Sequence, residues 1–112
     1  MTTTITPAQL PAVVRSHLTT RDADAAVHAF TDDAVVVDDG ATHRGAEAVR
    51  SWLHRAASEY TFTTEVTGAE RIDADHWLVV QHLEGDFPGG VVDLRYHFTL
   101  RGDRIAELTI AP

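Results

Sequence analysis

Asp38 closes the β-branched run Val35-Val36-Val37, and strand alternation sets its carboxylate in step with Ala34 and Val36. An acid on an apolar face has two readings: a charge at a wet strand end, or a carboxylate turned into a cavity. In a cavity without a partner its pKa would rise, which suits a proton acceptor working near neutrality. Tyr96 is the second group of interest. The alternation of 91–101 turns it inward with Val92, Leu94, Phe98 and Leu100. A buried phenol needs a hydrogen-bond partner, for which Gln81 or a water is available. A carboxylate base with a phenol is equipment for moving a proton while a developing oxyanion is held. His17 is the third group. It lies on an apolar helical stripe one turn from Val14, either as a satisfied core histidine or as a pocket acid or base.

Other chemistries lack their residues. Of the seven histidines, no pair shows ligand spacing with a supporting carboxylate. His82 and His97 are placed to meet across two strands, but two ligands do not make a site, so no metal and no cofactor is expected. There is no Ser-His-Asp order, phosphate loop or dinucleotide fingerprint. A net charge of -8, with nine arginines and no lysine, argues against a nucleic-acid footprint and against adhesion to an anionic membrane. Cysteine is absent, which removes disulfides and thiolate metal sites. The opening Met1-Thr-Thr-Thr-Ile-Thr-Pro7 has neither the basic region nor the apolar core of a leader, and no apolar run approaches membrane-spanning length. A cytoplasmic protein of one domain, residues 1–112, is expected.

The elements that must carry these groups follow from periodicity. Thr6-Pro7-Ala8-Gln9 reads as a helix start, although Pro11 moves the regular helix to near Leu10. Leu10, Val13, Val14, His17 and Leu18 then form one stripe. Asp22 caps a second short helix ending near Phe30. After a turn at Asp32-Asp33, 34–38 and 41–44 form a hairpin through Asp39-Gly40, and Gly45 precedes a third helix over 46–57. That helix sets Val49, Trp52, Leu53 and Ala56 on one face.

From Tyr60 onward the period is two. Extended runs are predicted over 60–72, 77–87, 91–101 and 105–110, joined by turns at 73–76, 88–90 and 102–104. Pairing Ile72 with Trp77, Phe87 with Val92, and closing three residues at Gly102 collects one apolar face. That face holds Phe62, Thr64, Val66, Trp77, Val79, Gln81, Leu83, Phe98, Ala106, Leu108 and Ile110. The same pairing sets Glu84 across from Arg95 and His82 across from His97 on the outer face. The fold class is α+β: a strongly curved, mostly antiparallel sheet wrapped as a cone around three N-terminal helices. Three helices do not fill such a cone, so a pocket is expected inside it.

This order of elements resembles the nuclear transport factor 2-like superfamily, in its SnoaL-like and ketosteroid isomerase-like branches. The words that carry the resemblance are Asp22-Ala-Asp-Ala-Ala-Val-His-Ala-Phe-Thr-Asp-Asp-Ala-Val-Val-Val-Asp38, then Asp39-Gly40 and His43-Arg-Gly45, and Leu94-Arg-Tyr-His-Phe-Thr-Leu-Arg-Gly-Asp-Arg-Ile105. The resemblance implies a general-base role for Asp38. The isomerase's tyrosine donor falls on Val14, which has no proton to give, and its protonated aspartic acid falls near Tyr96, whose phenol is a substitute donor. The epoxide-hydrolase pattern in the same superfamily needs an asparagine, and none exists here.

The reading is a small apolar molecule bound in the cone, with Asp38 and Tyr96 as candidate catalytic groups for isomerase or polyketide-cyclase chemistry. The candidate ligand surface is Val14, His17, Trp52, Phe62, Gln81 and Phe98. A non-catalytic carrier or dimerisation module of the same fold is the alternative, and a packing domain with a filled cone is a third. Leu78 and Val80 among charged neighbours on the outer sheet face point to a homodimer.

Overall fold

The structure, a computed structural model, describes residues 2–112. Proline decides how the chain enters its first helix. Pro7–Gln9 makes a single 3-10 turn, with the Thr6 N–H donating to the Gln9 side chain at 2.9 Å. The regular helix α1 (Ala12–Thr19) starts only after Pro11, two residues later than the stripe alone suggests, because proline brings no N–H to a helix interior. Asp22 caps α2 (Ala23–Ala26), its carboxylate accepting the Asp24 N–H at 3.0 Å, and a 3-10 turn at Val27–Ala29 leads to the sheet. The longest helix, α3 (Ala46–Ser58), buries Val49, Trp52 and Leu53.

The strands are β1 (Thr3–Thr4), β2 (Phe30–Asp38), β3 (Ala41–Arg44), β4 (Phe62–Arg71), β5 (His76–Gly85), β6 (Val91–Arg101) and β7 (Arg104–Ala111). They form one sheet in the order β1-β4-β5-β6-β7-β2-β3. This is the α+β architecture the periodicity predicts. Two features were beyond it: the short edge strand β1 on β4, and the parallel pairing of β2 with β7 in an otherwise antiparallel sheet. Asp39 and Gly40 both take positive φ, 51° and 77°, and close the β2–β3 hairpin with Asp38 opposite Ala41. The segment expected to turn at Asp32-Asp33 instead stays in β2, where the register against β7 slips between Phe30 and Val35.

The concave face and the helices enclose a core in which Val14, Val36, Val49, Val79, Phe98, Ile105 and Leu108 have no meaningful exposure. Three registers differ from the sequence pairing. The β5–β6 connection is longer than a Gly-Gly turn: Gly85 accepts no shortcut and bonds its N–H to the Gly90 carbonyl at 3.0 Å. Leu83 therefore faces Val92, His82 faces Asp93 and Arg95 faces Val80, so the predicted His82–His97 and Glu84–Arg95 pairs do not form. The shift is four residues, an even number, and the inner face is unchanged.

On β4, Arg71 rather than Ile72 faces Trp77, and a bulge at Thr67 restores parity, so that Val66, now opposite Gln81 instead of Leu83, and Thr64, opposite Leu83, keep the inner face. Between β6 and β7 the turn holds two residues, Leu100 faces Ile105, and an irregularity brings Leu108 opposite Phe98. Ile105, not Ala106, is the buried residue there.

Gly85 is fixed by a close approach of backbone. A Cβ at this position would lie 2.4 Å from the Thr61 carbonyl oxygen and 2.5 Å from Phe62 Cβ. Gly85→Ala should therefore push the start of β4 away from β5 and lower stability by about 1–3 kcal/mol, the usual range for overpacking. Urea unfolding monitored by circular dichroism measures it, and an unchanged midpoint would contradict the assignment.

Candidate functional site

Between the helices and the inner face of β4–β6 lies a partly open cavity of about 360 Å³. The stripe of α1 contributes His17 and Leu18, α2 Ala23 and Ala26, and α3 Trp52, Leu53 and Ala56. Phe62 and Thr64 come from β4, and Gln81 and Tyr96 meet at its sheet wall. The walls are mixed, with Thr20, Arg21, Thr61 and Thr64 set among the apolar side chains. Their buried polar groups are few: the imidazole, the amide and the phenol.

Each of these has a state set by its surroundings. Burial, the nearby Asp38 charge and a partly offsetting hydrogen bond with Gln81 push the Tyr96 phenol up to about 12, so it remains a proton donor. Gln81 is itself 5% exposed, a polar side chain held inside the sheet face. Burial pushes His17 down from 6.5 to about 4, which leaves a neutral ring at neutral pH. Its Nδ1 has no hydrogen-bond partner, and the ring lies edge-on to Phe30 and Phe98, with centroids 5.4 and 5.7 Å away.

Asp38 is half-buried at the inner end of β2, on the face of Ala34 and Val36 as alternation requires. It does not stand without a partner: Trp52 Nε1 donates to its Oδ2 at 3.0 Å. The indole that lines the cavity thus holds one of the two carboxylate oxygens, and Asp38 is not part of the cavity lining. Along the sheet, Asp38 faces Ile110 and Ile110 faces Tyr96. One strand therefore separates acid from phenol, and their backbones are roughly 9–10 Å apart.

Of the residues singled out from the sequence, His17, Trp52, Phe62, Gln81 and Tyr96 come together around one cavity. Val14 and Phe98, placed on the ligand surface by the sequence, are fully enclosed in the core behind it and present no surface. Phe98 is covered by the His17 and Tyr96 rings, and both residues belong to the enclosed core cluster. Arg21, Tyr60 and Thr61 at the cavity's outer part were missed. They lie in connections between elements, where no periodicity marks them. On the outer sheet face His82 Nδ1 lies 2.7 Å from Asp93, which holds its pKa above the ordinary value.

A helix-filled, curved mixed sheet with such a cavity defines the nuclear transport factor 2-like class of α+β proteins. Residues 12–108 match the SnoaL-like domain family, and the chain belongs to that family. A candidate polyketide cyclase from Sinorhizobium meliloti is 34% identical and superposes with a TM-score of 0.87, over 96% of this chain and 100% of that one. A protein of ketosteroid isomerase-like fold from Catenulispora acidiphila, solved with trimethylamine, is 23% identical with a TM-score of 0.78, over 93% of this chain and 87% of that one. A cystatin-fold protein from Novosphingobium aromaticivorans is 21% identical with a TM-score of 0.68, over 95% of both chains. The last two likenesses concern the fold alone. Among curated proteins no match is found.

The state of His17 predicts a pH dependence. Its folded pKa lies below its unfolded one, so the folded chain binds fewer protons between the two values. Stability from this group is complete above pH 6.5 and is lost as pH falls toward about 4. The full loss is about 3 kcal/mol. Urea titrations across this range should show a slope that flattens in His17→Gln, and equal slopes in both proteins would refute it.

Proposed function

We propose that this chain binds a small, mostly apolar molecule in the cavity, holding one polar atom of it against Tyr96 and Gln81. The observation that carries this reading is the composition of the site: a chamber of about 360 Å³, part apolar and part polar, with a protonated phenol and a buried amide at its wall. Pockets of this kind take orientation from a few polar groups and affinity from the apolar parts of their walls. Tyr96 donates to a carbonyl or hydroxyl oxygen, and Gln81 holds the phenol in place.

Proton-transfer chemistry is the second reading, and it rests on Asp38. Its charge lies close enough to help raise the Tyr96 pKa, so acid and donor share one environment. The candidate cyclase assignment of the Sinorhizobium meliloti relative supports such chemistry. Against it stands the place of Asp38 outside the cavity lining, with one carboxylate oxygen already bonded to the Trp52 indole. The carrier reading needs no contact with Asp38 and is preferred.

We also propose that two copies pair through the outer face of β4–β6. Val91 is 56% exposed there, and Leu78 and Val80 stand among Glu65, Glu84, Asp93, Arg95 and His97, charges of both signs that a two-fold axis would bring together. Light scattering should report a dimer, and a monomer at high micromolar concentration would remove this claim.

Binding is tested by titrating planar aromatic ketones and phenols while amide NMR signals of α1, α3 and β5 are followed. Tyr96→Phe should weaken binding about tenfold, the scale of one lost hydrogen bond. Asp38→Asn keeps an acceptor for Trp52 and should leave affinity within about twofold, since it touches only the second layer of the site. If a substrate is turned over, the same change should lower the rate by roughly 10²–10⁴, the scale for a lost general base. Absence of any shift at these elements would refute the cavity as a binding site.

A further inference from the structure

A groove of about 680 Å³ adjoins the cavity and shares Arg21, Ala23 and Ala57 with it. Arg21 and Arg55 line this groove together with Ser51 and Ser58, and all four side chains are exposed. Among the described residues neither arginine forms an ion pair with an acid, whereas Arg50 and Arg101 do. Asp22 and His54 also line the groove, and Asp22 and Asp24 have partners of their own. Asp22 accepts the Asp24 N–H as the cap of α2, and Asp24 is held by Arg50 at 2.8 Å and His54 at 3.1 Å. Two guanidinium groups with free donors thus stand at the outer end of a chamber whose buried groups are neutral.

We propose that the cavity's ligand is amphipathic, an apolar body carrying one carboxylate, with the body in the chamber and the carboxylate on Arg21 and Arg55. This rests on the binding reading above and adds the charge of the ligand to it. The chemistry is direct. A guanidinium offers paired N–H donors that match the two oxygens of a carboxylate, and such charge-assisted bonds are stronger than neutral ones. The remainder of the protein is negative and repels anions at long range, so the attraction is a short-range contact at the rim. Ser51 beside the arginines offers a neutral hydroxyl donor, while Ser58 Oγ already donates to the His54 carbonyl at 2.9 Å. An anionic head also fixes which end of the ligand reaches Tyr96.

Calorimetric titration with 2-naphthoate and with neutral 2-naphthamide, which has the same body, tests this on the intact chain. The acid should bind about tenfold more tightly than the amide at low ionic strength. That advantage should shrink as salt is added. Arg21→Gln and Arg55→Gln should each reduce the preference and together abolish it, with amide affinity unchanged. Arg95→Gln, on the outer sheet face, should leave both affinities as they are. Equal binding of acid and amide to the unaltered protein would overturn the arginine rim and leave the cavity reading standing. A preference that survives the double substitution would overturn it too. Failure of both probes to bind would overturn the rim and the cavity reading together.

Discussion

The parallel seam between β2 and β7 is the constraint on which the rest of this structure depends. It joins two stretches that are local in themselves: the helices with their hairpin, and the four long strands. Val36 opposite Leu108 and Asp38 opposite Ile110 lock the two together. Without that seam, Trp52 and Asp38 have no fixed relation to Tyr96. Its strands are far apart in sequence, so the entropy of closing the intervening chain is met before their contacts form. Hydrophobic burial on both sides offsets it: Val36, Leu108 and Ile105 are all fully enclosed.

The interior keeps charge out while retaining polarity. Tyr96 is held protonated and His17 neutral, both chiefly by loss of water around them. Gln81 is neutral by nature. Charges sit at the margins: Asp38 at the strand end under an indole N–H, the arginines by the groove, and the Asp93–His82 pair on the outer sheet. The same arrangement explains how one fold serves several activities, since the scaffold's stability lies in the enclosed aliphatic residues and not in the chamber wall.

Fold and site were legible to different depths. The inner face could be read because side-chain parity is conserved under any even change of register, so a four-residue error between β5 and β6 left Val79, Gln81 and Leu83 where alternation put them. The outer-face pairs could not, since they depend on the register itself, and His82 meets Asp93 instead of His97. The helical stripe placed His17 on the right face of α1, and alternation placed Tyr96 beside Gln81. Whether a face residue is enclosed or lines a void is a question of packing depth, which periodicity does not contain, and Val14 and Phe98 fell on the wrong side of it. The Trp52–Asp38 bond spans two elements, and no local pattern encodes it. Arg21 and Arg55 had no signal other than their charge.

The two ladder irregularities, at Thr67 on β4 and near Ala106 on β7, bear on how this fold tolerates change in length. Each accompanies a turn one residue away from the closure that alternation alone suggests, and each returns the strand beyond it to the same inner face. A lineage that gains or loses two residues in a connection keeps its core by parity alone. One that gains or loses a single residue must acquire a bulge somewhere along the same ladder or turn its apolar residues to water. Insertions among relatives should therefore come in two kinds, even ones that leave the strands regular and odd ones that travel with a bulge. Loops around the chamber can then lengthen and shorten across a family while its wall residues keep their places.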